Sequence, residues 1–189
     1  ETVTEGDRVT APVNASLLVD DVVEAAGGRV ERTEVGDVHV AKAASAPAAV
    51  LGGEPSGTWI WPTETLCPDG PFAACRLVEL VDRAGSVAAL LSGIDPYPIC
   101  RGAVETEAKA ETVRRVREGV LAEHAEVDTA DGVRVDLGDA WFLVRASGTE
   151  PLVRVTAEAR TAARAEAVHE DAREMVEGAV GAVEGTTPP

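Results

Sequence analysis

The sequence predicts a mixed fold: a β-α-β layered α/β domain, then an α+β domain in which helices cover a four-stranded sheet. Three observations lead there. Residues 8–40 alternate short apolar runs with a helical pattern, as a layered α/β unit requires. Asp95-Pro96-Tyr97-Pro98 carries two prolines that cannot continue a helix, which divides the chain into domains over 1–98 and 99–189. Beyond that point, short apolar runs flank one polar loop and a long helical pattern closes the chain.

In the first domain Arg8 to Val13 reads as a strand, and Ser16 as the N-cap of a helix that runs through Ala26 and ends at Gly27-Gly28. Leu18, Val22 and Ala26 recur four apart and form the face expected to pack on a sheet. Arg29 to Thr33 and Val38 to Val40 read as further strands. Ala41 to Val50 reads as a second helix, which Pro47 either begins or breaks. After a glycine-rich loop comes the apolar Trp59-Ile60-Trp61; burial is expected for Trp59, Trp61 and Trp141. Phe72 to Ala84, with Cys75, Val78, Leu80 and Val81 at helical spacing, and a shorter helix through Leu91 are expected to cover the core.

The second domain reads as a strand over Cys100 to Glu105 and a helix over Glu107 to Ala122 with Val113, Val116 and Val120 on one face. Short strands follow near Glu126, over Gly132 to Leu137 and over Trp141 to Val144. Leu152 to Glu158 then alternates with period two. From Ala162 to Val183, a stripe of Ala165, Val168, Ala172, Met175, Ala179 and Val183 suits a helix lying on this domain's own sheet.

Two loops carry chemistry. Arg145-Ala146-Ser147-Gly148-Thr149-Glu150-Pro151-Leu152-Val153-Arg154 joins two strands through a turn crowded with anion-binding groups. Gly148 is expected to take positive φ and admit a ligand, Ser147 and Thr149 add hydroxyls beside main-chain N–H groups, and Arg145 offers a guanidinium fork with Arg154 in support. On residue types alone two readings stand, a phosphate cradle and a plain hairpin whose Arg pairs with Glu150. Leu51 to Thr58 sets three glycines around Glu54 and Ser56, groups that suit neighbouring hydroxyls of a polyol, although such a stretch is more often an ordinary turn.

Arg-x-Ser-Gly-Thr-Glu-Pro-x-x-Arg after a Trp-bearing strand resembles the phosphate-binding signature in the last domain of the alpha-D-phosphohexomutases, which include phosphoglucomutases, phosphomannomutases and phosphoglucosamine mutases. Gly53-Glu54-Pro55-Ser56-Gly57 resembles the sugar-binding signature of their third domain, with Thr58 where the family usually has His. Arg32-Thr33-Glu34-Val35-Gly36-Asp37 is similar to another turn of that domain; no lysine stands at Glu34, so no substrate contact is assigned there.

The resemblance spans about Gly6 to Gly185 and implies the third and fourth domains of a mutase, the fourth with a TATA-binding-protein-like sheet. It implies isomerisation of a hexose phosphate through a bisphosphate, which also serves as activator. Arg145, Ser147, Gly148, Thr149 and Arg154 would hold the phosphate that is not reacting, and Glu54 and Ser56 the sugar hydroxyls. The family's phosphoserine loop and Mg2+ loop have no counterpart in this sequence. No catalytic residue is therefore expected within it, and the missing N-terminal domains become its natural partner. A stand-alone phosphosugar-binding or regulatory module is the competing reading.

Composition narrows the partners. With 33 acids against 17 bases and a net charge of −16, the chain repels a polyanion, so nucleic acid is not an expected partner. No run approaches the roughly 18 uninterrupted apolar residues of a membrane span, and the first twenty residues lack a basic leader, which predicts a cytoplasmic protein. Only Lys42 and Lys109 are lysines. Lysine poverty with abundant acid fits an organism with a very salty cytoplasm, where a Debye length of about 3 Å screens self-repulsion. Cys67, Cys75 and Cys100 are expected as free thiols. His39, His124 and His169 share no ligand spacing, so no metal site is expected.

Overall fold

A computed structural model describes residues 3–124 and 126–185, and the chain divides into one unit ending at Pro96 and another beginning at Tyr97. The first unit runs β1 (Arg8–Pro12), α1 (Leu17–Ala25), β2 (Arg29–Thr33), α2 (Asp37–Ala44), β3 (Ala49–Gly53), β4 (Trp59–Ile60), α3 (Gly70–Ala84) and α4 (Val87–Leu90). Its sheet has the order β2-β1-β3-β4, with β1 parallel to both neighbours and β4 antiparallel to β3. The chain leaves β1 for β2 on one side and returns to β3 on the other. Strand order thus reverses between β1 and β3, and parallel sheets open a ligand crevice beyond the strand ends at such a reversal.

Local chemistry explains most of these elements. Ser16 caps α1 by accepting the Leu18 amide at 3.0 Å, and Asp69 caps α3 through the Phe72 amide at 2.8 Å. Thr10 is fully buried between sheet and helix, and its hydroxyl donates to the Val40 carbonyl at 3.4 Å. Gly52 is required in β3: a Cβ there would lie 2.9 Å from both the Thr10 hydroxyl and a Val40 methyl.

Five expectations for this unit are corrected. Val38 to Val40 is not a strand but part of α2, which starts at Asp37 after Gly36 and buries Val40 and Ala44, four residues apart. The stretch 41–50 is not one helix. It ends at Ala44, before Pro47, and Ala49 already belongs to β3 because parallel pairing with β1 outweighs a weak helical pattern. The buried residues of α1 are Leu17 and Val23, whereas Val22 is 56% exposed. Trp59 is exposed, since β4 is a two-residue edge strand that turns Ile60 inward and leaves Trp59 stacked on Trp61. Finally, α3 and α4 bury none of their residues.

The second unit runs β5 (Ile99–Glu105), α5 (Lys109–Glu123), β6 (Val127–Asp128), β7 (Val133–Asp136), β8 (Ala140–Ala146), β9 (Leu152–Ala159) and α6 (Ala162–Glu184). The sheet is antiparallel with the order β5-β9-β8-β7-β6, so the four principal strands gain the two-residue β6 as a fifth, at the edge. Val116 and Val120 of α5 and Ala165, Val168, Ala172 and Val176 of α6 pack on Val133, Val135, Phe142, Val144, Val153 and Val155. Each buried valine contributes about 1.5–3 kcal/mol, and the alanines let the helix come close to the sheet. In the α6 stripe Val176, rather than Met175, is the fully buried residue. No helix among the described residues is long and apolar enough to cross a membrane.

Candidate functional site

Antiparallel pairing sets the first loop. Arg145 of β8 stands directly opposite Arg154 of β9, and Ala146 opposite Val153, so residues 147–151 form the connection. Val144, Val153 and Val155 face the helices, which turns Arg145 and Arg154 to the opposite face. Each arginine has an acid beside it: Arg145 Nε donates to Asp131 Oδ1 at 2.9 Å, and Arg154 Nη2 to Glu150 Oε2 at 2.7 Å. The expected hairpin pairing with Glu150 therefore belongs to Arg154. Only the Nε edge of Arg145 is engaged, which leaves its two terminal nitrogens, the bidentate end, without a partner among the described residues.

Inside the turn Ser147 is buried, its amide donating to the Leu152 carbonyl at 3.0 Å and its hydroxyl accepting the Glu150 amide at 3.2 Å. Gly148, Thr149 and Glu150 are exposed. Lys109, at the start of α5, donates from Nζ to the carbonyls of Ser147 at 2.6 Å and Glu150 at 2.7 Å. In a trans peptide the N–H lies opposite the C=O, so drawing the Ser147 carbonyl toward Lys109 turns the Gly148 amide the other way. Neither the Gly148 nor the Thr149 amide has a hydrogen-bond partner among the described residues. Pro151 has no N–H, so the Glu150 carbonyl is committed to Lys109 with no amide left over on that peptide. The turn thus presents two unengaged main-chain amides and the exposed Thr149 hydroxyl at the rim of an arginine, while the Ser147 hydroxyl is spent within the turn on Glu150.

One expectation fails here. Gly148 does not take positive φ. Its role is space, for a Cβ at Gly148 would have nothing within 4 Å. The glycine that needs its freedom is Gly132, at φ 90°, where a Cβ would lie 2.3 Å from the Val144 carbonyl and 3.1 Å from Arg145 Cα. Gly132 lets the turn before β7 close against Arg145, and the preceding Asp131 thereby reaches the guanidinium. Lys109, Asp131 and Gly132 were not singled out by the sequence. Scarcity was the available signal for Lys109, as one of two lysines in the chain.

The second loop leaves the carboxyl end of β3 at the strand-order reversal. The Glu54 amide donates to the Thr58 carbonyl and the Gly57 amide to the Glu54 carbonyl, both at 3.0 Å, with Gly57 at φ 96°. Glu54 Oε1 accepts the Gly36 amide at 2.8 Å. Gly36 precedes α2, so the Glu54 carboxylate sits at a helix N-terminus, where negative charge is favoured. Its second oxygen is available, and the exposed Ser56 hydroxyl has no partner among the described residues. Thr58, half-buried, contributes its carbonyl to the turn. Glu34 pairs with His39 at 3.7 Å rather than with this loop.

Among the described residues no group of three or more His, Cys, Asp or Glu is arranged to hold a metal ion.

Known proteins agree along nearly the whole length. A probable phosphoglucosamine mutase of Methanopyrus kandleri is 45% identical over 172 residues, covering 89% of this chain and 38% of the relative. One from Methanothermobacter thermautotrophicus is 41% identical, covering 93% of this chain and 40% of the relative. The chain thus spans about two fifths of the curated relatives it matches. A phosphoglucomutase/phosphomannomutase family protein from Burkholderia thailandensis superposes with a TM-score of 0.80 at 25% identity, covering 93% of this chain and 38% of that structure. Parafusin from Paramecium shares the fold at 17% identity and a TM-score of 0.70, covering 92% of this chain and 38% of that one. Residues 1–97 match the phosphoglucomutase/phosphomannomutase alpha/beta/alpha domain III, and residues 100–175 the C-terminal domain of the same family. With both units accounted for in sequence and in fold, the chain belongs to the phosphoglucomutase/phosphomannomutase family, as its third domain followed by its C-terminal domain.

Proposed function

We propose that this chain is the sugar- and phosphate-binding part of a phosphohexomutase that interconverts hexose 1-phosphate and hexose 6-phosphate through a hexose bisphosphate. The observation that carries the reading is the paired set of unengaged donors in the 145–154 loop: the terminal nitrogens of Arg145 and the amides of Gly148 and Thr149. They match a phosphate dianion, while the free Glu54 oxygen and the Ser56 hydroxyl match vicinal sugar hydroxyls. Arg145, Ser147, Gly148, Thr149 and Arg154 hold the phosphate that is not reacting. Glucosamine phosphate is the favoured substrate, supported by relatives at 45% and 41% identity that are named probable phosphoglucosamine mutases.

On this reading the phosphoserine and the Mg2+ site lie in the N-terminal domains, which are the chain's partners, and the chain alone binds without turnover. No step involving the metal is assigned to residues present here. Phosphosugars are charged metabolites retained in the cytoplasm, and the excess of acids suits a salt-adapted cell.

The test is an NMR titration of the chain with glucosamine 6-phosphate, with inorganic phosphate and glucosamine as controls. The expected result is saturable shifts at the Gly148 and Thr149 amides with either phosphate, and at Gly57 only when the sugar is attached. Amides of 148 and 149 that stay still at millimolar phosphosugar would remove the reading.

A further inference from the structure

The least expected feature of the first unit is how little α3 and α4 touch it. Neither helix buries a residue, although α3 is fifteen residues long. Leu77, Val78, Val87, Leu91 and Ile94 are 51%, 68%, 53%, 55% and 44% exposed, and a groove between the two helices is lined by Leu77, Val78, Val81, Asp82 and Val87. On a chain of net charge −16 a contiguous apolar strip of this kind marks a contact surface. Val81 lies four residues after Leu77 and three after Val78, the i+3/i+4 spacing of an apolar helix face that packs against another helix.

We propose that this face seats an amphipathic helix from the part of the polypeptide that lies ahead of β1 in the longer relatives. The proposal rests on the reading that the chain is the C-terminal part of a longer mutase. Three observations select this occupant. The chain covers only 38% of a relative and matches the third and C-terminal domains of the family, so the domains numbered ahead of the third are the part of such a relative that it leaves uncovered. The matched domain is an alpha/beta/alpha sandwich, and a three-layered domain does not leave two helices with no buried residue. Charge disfavours the alternative of a second copy, which would bring another net −16 against this surface, whereas a tethered helix acts at high effective concentration.

The experiment compares amide hydrogen exchange in the 189-residue chain with that in a fusion carrying the unmatched N-terminal part of the Methanopyrus kandleri relative in front of it. In the chain alone α3 amides should exchange quickly, and in the fusion about a hundredfold more slowly, with α5 amides unchanged in both. Val78→Asp, at an exposed position, should leave the free chain's unfolding midpoint unchanged and abolish the added protection in the fusion. Equal α3 exchange in chain and fusion, with α5 amides still protected, would overturn the proposal. So would protection in the chain alone that grows with concentration and disappears in Val78→Asp, which would assign the face to a second copy. Should the fusion fail to fold, dye binding decides: anilinonaphthalene sulfonate should brighten with the chain and lose that signal in Leu77→Asp and Val78→Asp, and no brightening overturns the proposal. Mutase activity is a separate readout. An inactive fusion with protected α3 leaves this inference standing, and an active one with unprotected α3 removes it alone.

Discussion

The Lys109 ammonium lies 2.6 Å from the Ser147 carbonyl, a link across 38 positions of sequence that fixes which way the loop between β8 and β9 faces. With Lys109 also 2.7 Å from the Glu150 carbonyl, the loop's acceptors point toward the cation and the Gly148 amide away from it. Lys109→Met should therefore weaken phosphate binding without touching any ligand contact. Hydrogen bonds to charged groups contribute about 1.5–3 kcal/mol, and at this partly exposed position the lower figure applies, so the dissociation constant should rise roughly tenfold. Titration followed at the Gly148 amide checks this, and Lys109→Arg should recover part of the loss.

On the proposed reading Arg145 meets the phosphate itself. Arg145→Ala should raise the dissociation constants of hexose 1-phosphate and hexose 6-phosphate alike, by roughly ten- to a hundredfold, because a fork that holds the idle phosphate serves both orientations. Arg145→Lys should restore only part, for want of the bidentate end. Loss of one isomer with the other untouched would show that the loop reads a single orientation.

On the same face of the sheet Trp141 is fully buried, donates from Nε1 to Glu158 at 2.8 Å, and lies 4.6 Å from the Arg134 guanidinium stacked over it. Trp141→Phe removes the donor to a carboxylate only 2% exposed and should cost about 1–3 kcal/mol. Trp141→Ala adds a cavity and should cost about 3–5 kcal/mol. Urea unfolding of both variants measures the difference.

Salt should stabilise the chain. Screening relieves repulsion on a surface of net −16, so the melting temperature should rise as potassium chloride goes from low to molar concentration. A flat or falling melting temperature would remove the salt-adapted reading.

Legibility in the sequence followed the range of the interactions. The tight turn that joins β8 to β9 was readable because a turn's chemistry lies within a few residues, and the cap at Ser16 and the α6 stripe were local for the same reason. Lys109, Asp131 and Gly132 were not, because each meets the loop only after α5, β7 and β8 have assembled. The α2 segment was misread where Val38-His39-Val40, with two apolar positions, gave too short a window to separate a strand from a helix. The α1 face was displaced by one position, since valines at 19, 22 and 23 satisfy more than one helical stripe. For α3 the pattern is amphipathic as expected, but a sequence records that a face is apolar and not what meets it.

The rung that places Arg145 opposite Arg154, each with its own acid, balances four charges at the mouth of the loop and leaves the Lys109 ammonium as a positive charge beyond them. One surplus positive charge does little at a distance against a chain of net charge −16. A phosphosugar taken by this loop, as proposed, would approach against the repulsion of that net charge, so its arrival rate should rise as salt screens the surface. Residence time, set by the main-chain amides and the guanidinium once they touch, carries the affinity. In concentrated salt, where long-range attraction is screened away for any protein, that design gives up nothing.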